Sequence, residues 1–269
     1  MVVFMFVVEI LIMIGLPVTL WFVLKRYRGV TWGIIGAGVA SFVLSQVVHI
    51  PLNYALGLLD AGRVAQWPVL QVAVVAGLSA GVCEELARYV MLRFVSRDAR
   101  SWRQGLAFGA GHGGIESILL GLAVLSSLAS MIYLREMDLA TLGLSGDMLE
   151  QAQAQVDAFW SLAWYEPLWG ALERASAIVI QLALTLLVLQ VFTRRKMWWL
   201  GIAILAHALV DGVVVAVAMF GWPVWAIEVV ALGFALAGGV IIYVLRSSQP
   251  EAPVQDSSCE VSASSNQDK

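Results

Sequence analysis

Three short strings hold the residues whose types and spacing suit chemistry. CEELAR places Glu84, Glu85 and Arg88 together, HGGIE pairs His112 with Glu116, and HALVD pairs His207 with Asp211. Residues four apart on a helix share a face. Glu84–Arg88, His112–Glu116 and His207–Asp211 therefore each form one polar stripe. A glutamate tuned by burial and by a neighbouring guanidinium can act as a general base. One imidazole can hold or shuttle its proton, and a second can donate to an oxyanion. This is the inventory of a hydrolase that activates water. There is no plausible serine triad, and the zinc signature H-E-x-x-H is absent. A different zinc set stays open: His112, Glu116 and His207 with Asp211 or Glu84, leaving a position for water.

The elements that must position these residues are membrane helices. The chain has 269 residues, 60% of them hydrophobic and only 13% charged. Soluble domains are nearer half apolar and about a quarter charged. The fold class is therefore all-α, a polytopic helical bundle. A span needs about 20 mostly apolar residues, which predicts seven, over 2–24, 31–56, 69–95, 104–130, 167–193, 197–220 and 222–246. The apolar N-terminal stretch lacks a basic n-region and reads as a retained span. Residues 1–246 form the membrane domain. Its 131–166 loop contains an amphipathic helix, expected to rest at the lipid interface rather than act as a lid. The Ser-rich stretch 247–269 is expected to be a disordered cytoplasmic tail.

Basic residues orient the spans. Lys25, Arg26, Arg28, Arg93, Arg97, Arg100, Arg103, Arg194, Arg195, Lys196 and Arg246 all fall on one side, whereas the alternate loops hold only Arg63 and Arg135. The expectation is an outside N-terminus and a cytoplasmic C-terminus. A net charge of −3 gives no basic domain for a nucleic-acid partner. The expected partners are the bilayer and a membrane-embedded or lipidated peptide.

Helical rise places the stripes at a common depth. Counting about 1.5 Å per residue from the nearest basic edge puts Glu84, His112, Glu116, His207 and Asp211 roughly 13–22 Å in. Ionisable groups at that depth mark function by default. A satisfied structural network is the bland alternative, and any one pair alone would suit it. Seven such groups on three helices point to one site between spans three, four and six. Gly105, Gly109 and Gly113, with Gly111 and Gly114 beside them, allow close helix approach around His112. His49 and Asn53 count out to the outer surface, at about 31 Å. Glu173 and Arg174 read as an ion pair near the same face.

EELAR, FGAGH and HALVD, in that order on separate spans, resemble the motif set of the CAAX-protease and bacteriocin-processing superfamily of glutamic intramembrane proteases. GHGGIES with EELARY looks most like the YhfC-type membrane peptidases. The resemblance covers residues from about 30 to 245. It implies an intramembrane endopeptidase without a cofactor, in a bacterial or archaeal cytoplasmic membrane. Glu84 would be the base and His112 would position the water. Glu85 and Arg88 would orient the pair, and His207 with residue 211 would form the oxyanion hole. Two departures stand out. The family spacing is E-E-x-x-x-R, and Arg88 comes one residue sooner. Position 211 is Asp rather than Asn, and an ionised carboxylate cannot donate a hydrogen bond; fixing the tautomer of His207 is the expected role. Alternatives from other classes are a zinc-dependent metalloprotease, a proton-coupled transporter and a non-catalytic scaffold.

Overall fold

The computed structural model describes residues 1–247. The tail expected over 247–269 lies outside them, apart from Ser247 at the end of the last helix. Among the described residues the α-helices are α1 (Val2–Lys25), α2 (Trp32–Leu56), α3 (Ala61–Val64), α4 (Val69–Phe94) and α5 (Trp102–Glu136), followed by α6 (Asp147–Trp160), α7 (Pro167–Thr193), α8 (Trp198–Met219) and α9 (Val224–Ser247). Seven of these are long and apolar enough to cross a membrane. The spans expected from sequence agree with them to within a few residues, with one larger departure: α5 runs on to Glu136. Its start is fixed by a capping box between Ser101 and Gln104, which satisfies backbone donors that a helix start leaves open.

Apolar side chains such as Val47, Leu70, Leu205, Leu209, Leu236 and Val240 are exposed on the outside of the bundle. An apolar exterior around buried polar groups is what a bilayer solvates, and the chain is an integral membrane protein. The helix expected in the 131–166 loop is α6. Phe159 at its end stacks on Phe6 of α1, with ring centroids 4.9 Å apart.

α5 is the hub of the bundle, packing on α1, α2 and α7, while α4 packs on α8 and α2 and α9 packs on α7. Trp21 Nε1 donates to the Ala110 carbonyl at 2.7 Å, and Ser117 Oγ donates to that of Met13 at 2.7 Å, pinning α1 to α5. Two crossings bring backbone against backbone. A Cβ on Gly111 would strike the Ile35 carbonyl of α2, and one on Gly77 would strike the Ala208 carbonyl of α8. These crossings set the positions of His112 and His207, one residue from each contact.

Gly111→Ala should therefore destabilise the bundle by about 1–3 kcal/mol, the range for overpacking. Gly36→Ala, on α2, the other helix of that crossing, but facing open space, should be neutral or gain up to about 1 kcal/mol from helix propensity. Thermal denaturation of both variants in detergent checks this. Equal midpoints would remove the crossing as the constraint.

Candidate active site

Five helices contribute to one buried network. Glu84, Glu85 and Arg88 come from α4, His112 and Glu116 from α5, and His207 and Asp211 from α8, the three helices expected. α2 adds Ser41, and α7 adds Gln181 and Arg174. Arg88, Glu85 and His112 have no exposed surface, and Glu84 and His207 are buried. Asp211 is only partly buried.

Arg88 is the centre of the network. Its guanidinium donates to Glu85 Oε1, to Gln181 Oε1 and, at 3.4 Å, to Glu84 Oε2. The short E-E-x-x-R spacing thus lets one arginine hold both glutamates, with Glu85 the nearer. Gln181 passes the network on. Its Nε2 donates to Glu84 Oε2 at 3.3 Å and to Glu116 Oε2 at 2.8 Å. Glu116 Oε1 in turn accepts from Arg174 Nη1 at 3.0 Å, and Arg174 also pairs with Glu173.

The imidazoles are oriented from behind. Ser41 Oγ gives its proton to the Gly38 carbonyl at 2.7 Å, so it accepts from His112 Nδ1, also at 2.7 Å. Glu85 Oε1 accepts from His207 Nδ1 at 2.6 Å. The carboxylate that holds the His207 tautomer is therefore Glu85, in place of the Asp211 expected from sequence. Both rings then present Nε2 forward. His112 Nε2 lies 3.0 Å from Glu84 Oε2, and His207 Nε2 lies 3.9 Å from Glu84 Oε2 and 3.5 Å from Asp211 Oδ2.

With both Nδ1 atoms donating, a neutral imidazole offers only a lone pair at Nε2. Two lone pairs and two carboxylate oxygens then face one small space. Acceptors do not pack against acceptors without a cation between them. Protons or a metal ion must supply the positive charge.

Glu84, His207 and Asp211 line a cavity of about 350 Å³ that reaches Glu116, Glu173, Arg174 and Glu228. His49 and Asn53, expected at the outer surface, line the same cavity and hydrogen-bond to each other and to Ser79. The cavity runs far enough toward the Glu173 end to reach the depth at which they sit. Glu173 and Arg174 do form the expected ion pair. Sequence reasoning missed Ser41 and Gln181. Neither ionises, so intramembrane charge gave no signal for them; a glutamine within the apolar run 177–184 of α7 was the available hint.

A family model described as YhfC intramembrane metalloprotease matches residues 8–232. The uncharacterized membrane protein YhfC of Bacillus subtilis (strain 168) is 35% identical over 210 residues, covering 75% of this chain and 78% of that protein. The chain belongs to the YhfC family.

The family description implies a metal, and the donor set can be tested for it. Nitrogen and oxygen donors about 2.0–2.2 Å from a tetrahedral zinc lie about 3.3 Å apart. The separations of 3.0, 3.9 and 3.5 Å along His112, Glu84, His207 and Asp211 bracket that value. Hydrogen bonds behind each ring are the usual support of metal-bound histidines. The residues fit a zinc-class ion in donor type, and three of the six separations a four-ligand site needs are of the right order. Among the described residues, however, no group of three or more His, Cys, Asp or Glu is placed so that it could hold a metal ion. Glu84 Oε2 is also already engaged with Arg88, His112 and Gln181.

Arg88→Met should leave two glutamates buried without their partner and cost about 3–5 kcal/mol of stability. Adding Glu85→Gln to that variant should recover part of the loss, because one orphaned charge is removed. Denaturation midpoints of the single and double variants give the answer. A single variant as stable as the parent would reduce Arg88 to a bystander.

Proposed function

We propose that this YhfC-family chain is an intramembrane peptidase that hydrolyses a peptide bond of a membrane-embedded or lipidated substrate, with Glu84 activating water. One observation carries the reading: the Glu84 carboxylate lies on a cavity wall, 3.0 Å from the Nε2 of a fully buried histidine oriented by Ser41. A water in the cavity beside Glu84 would lose its proton to that carboxylate as it attacks the substrate carbonyl. His112 shares the proton from behind, and Glu84, on the cavity wall, returns it to the leaving amine. Glu85 holds His207 from behind, and a proton on Nε2 would let this ring donate to the developing oxyanion. Arg88, Glu85, Gln181 and Ser41 are positioning residues in this scheme. The positive-inside asymmetry supports an outside N-terminus, which directs the Glu173–Glu228 end of the cavity outward.

A second reading is favoured by the forward-facing Nε2 atoms. His112, His207, Glu84 and Asp211 would together hold a zinc-class ion, and the family description is that of a metalloprotease. Such an ion would supply Lewis acidity toward water and carbonyl. Glu85 and Ser41 would then hold the rings neutral, with Nδ1 protonated and Nε2 free to coordinate.

Cleavage of a membrane-peptide library by purified protein in detergent separates the two readings. Glu84→Gln and His112→Ala should each lose at least about a hundredfold in turnover, the lower bound for removing a general base. Activity indifferent to a chelator supports the glutamate mechanism. Activity lost to chelator and restored by zinc supports the metal. Turnover at the parent rate in Glu84→Gln would reject both assignments of that residue.

A further inference from the structure

The far end of the cavity has chemistry that water activation does not use. Glu116, Glu173, Arg174 and Glu228 line it together. Arg174 is committed through Nη1 to Glu116 and through Nη2 to Glu173. One guanidinium thus faces three carboxylates. Glu228, at the start of α9, is only 7% exposed, and its Oε2 has no hydrogen-bond partner. An acidic cluster alone would say little. A buried carboxylate left unpartnered on a cavity wall is different, because such a group is costly to keep and is stabilised by an incoming cation.

The distance to the reacting end is readable from α7. Gln181 touches Glu84 and Arg174 lies seven residues earlier on the same helix. That separation is about 10 Å of helical rise. An extended peptide covers it in about three residues at roughly 3.3 Å each. A cavity of about 350 Å³ is within the size range of ligand sites.

We propose that the Glu116–Glu173–Glu228 end of the cavity is a subsite for a primary ammonium group of the substrate, held within about three residues of the bond at Glu84. The ammonium belongs to a lysine side chain or to a free amino terminus. It pairs with Glu228 and completes the charge balance that Arg174 leaves short. The subsite confers preference for a positively charged peptide in a protein whose substrate otherwise enters from lipid. The proposal takes its ligand class, a peptide, from the peptidase reading.

The test uses the full-length Glu84→Gln chain in detergent and three fluorescent apolar heptapeptides. One is acetylated and carries lysine, one is acetylated and carries norleucine instead, and one has a free amino terminus with norleucine. Equilibrium binding of a charged peptide should be at least about tenfold tighter than that of the acetylated norleucine peptide, since a desolvated charge pair is gained. Whichever charged peptide binds tighter identifies the source of the ammonium. Adding Glu228→Gln should bring the peptides to within about twofold of each other while leaving the neutral one unchanged. Equal binding of charged and neutral peptides overturns the proposal, and that comparison needs no Glu228 variant. A charge preference that survives Glu228→Gln also overturns it. Selective binding by a parent chain that cleaves none of the peptides upholds the subsite and rejects the peptidase reading. Cleavage by the parent chain without any charge preference does the reverse.

Discussion

A fully buried guanidinium is the constraint on which the rest of this structure depends. Arg88 has no exposed surface and lies within a helix that spans the membrane. Its charge is tolerable there only with opposite charge and hydrogen-bond acceptors close by. Glu84 and Glu85 supply the charge from its own helix, and Gln181 supplies a further acceptor from α7. Each of those partners is then obliged to meet something else. Glu85 meets His207, while Glu84 meets His112 and Gln181. Satisfying one arginine thus fixes the relative positions of four helices. The site is a consequence of that requirement as much as it is a set of reactive groups.

Such a network closes only if the helices come near enough. α5 contacts α2 through Gly111 against the Ile35 carbonyl, and α4 contacts α8 through Gly77 and Gly81 against the carbonyls of Ala208 and Ile204. Lipid tails are as apolar as leucine, so apolar surface alone gives membrane helices little reason to associate. Backbone approach at small residues, with buried hydrogen bonds behind it, supplies both the attraction and the register. His112 sits beside Gly111, and His207 beside Ala208, so a close backbone crossing lies next to each of the two buried imidazoles.

The spans were legible because a bilayer imposes a length that a sequence of apolar runs records directly. The three polar stripes were legible because charge within such a run is rare enough to be informative. What the sequence concealed follows from the same logic. Gln181 and Ser41 are neutral, so they leave no ionisable mark, although each is indispensable to the hydrogen-bond accounting. Depth counted along a straight helix placed His49 and Asn53 at the outer surface, yet depth alone cannot say whether a side chain meets lipid headgroups or the wall of a cavity. The expected role of Asp211 as the holder of His207 follows from the inability of an ionised carboxylate to donate to an oxyanion. Glu85, 122 positions away in the chain, occupies that role instead, and only the α4–α8 crossing brings it there.

Charge accounting shows why the glutamate and metal readings fit one geometry. Glu84, Glu85 and Asp211 contribute three negative charges and Arg88 one positive, while Glu116 belongs to the Arg174 cluster at the other end of the cavity. Two further positive charges make the buried centre neutral. Two added protons can provide them, on imidazole or carboxylate, and so can one divalent ion with both rings neutral. A medium of low dielectric penalises net charge and not its particular carrier. The residue that sets the number at two is Asp211. With Asn there, as in the pattern H-x-x-x-N, the deficit would be one, which a single proton meets and a dication exceeds. The aspartate in HALVD therefore alters the charge of the site as well as its hydrogen bonding, and under the metal reading it is the carboxylate that a dication would need.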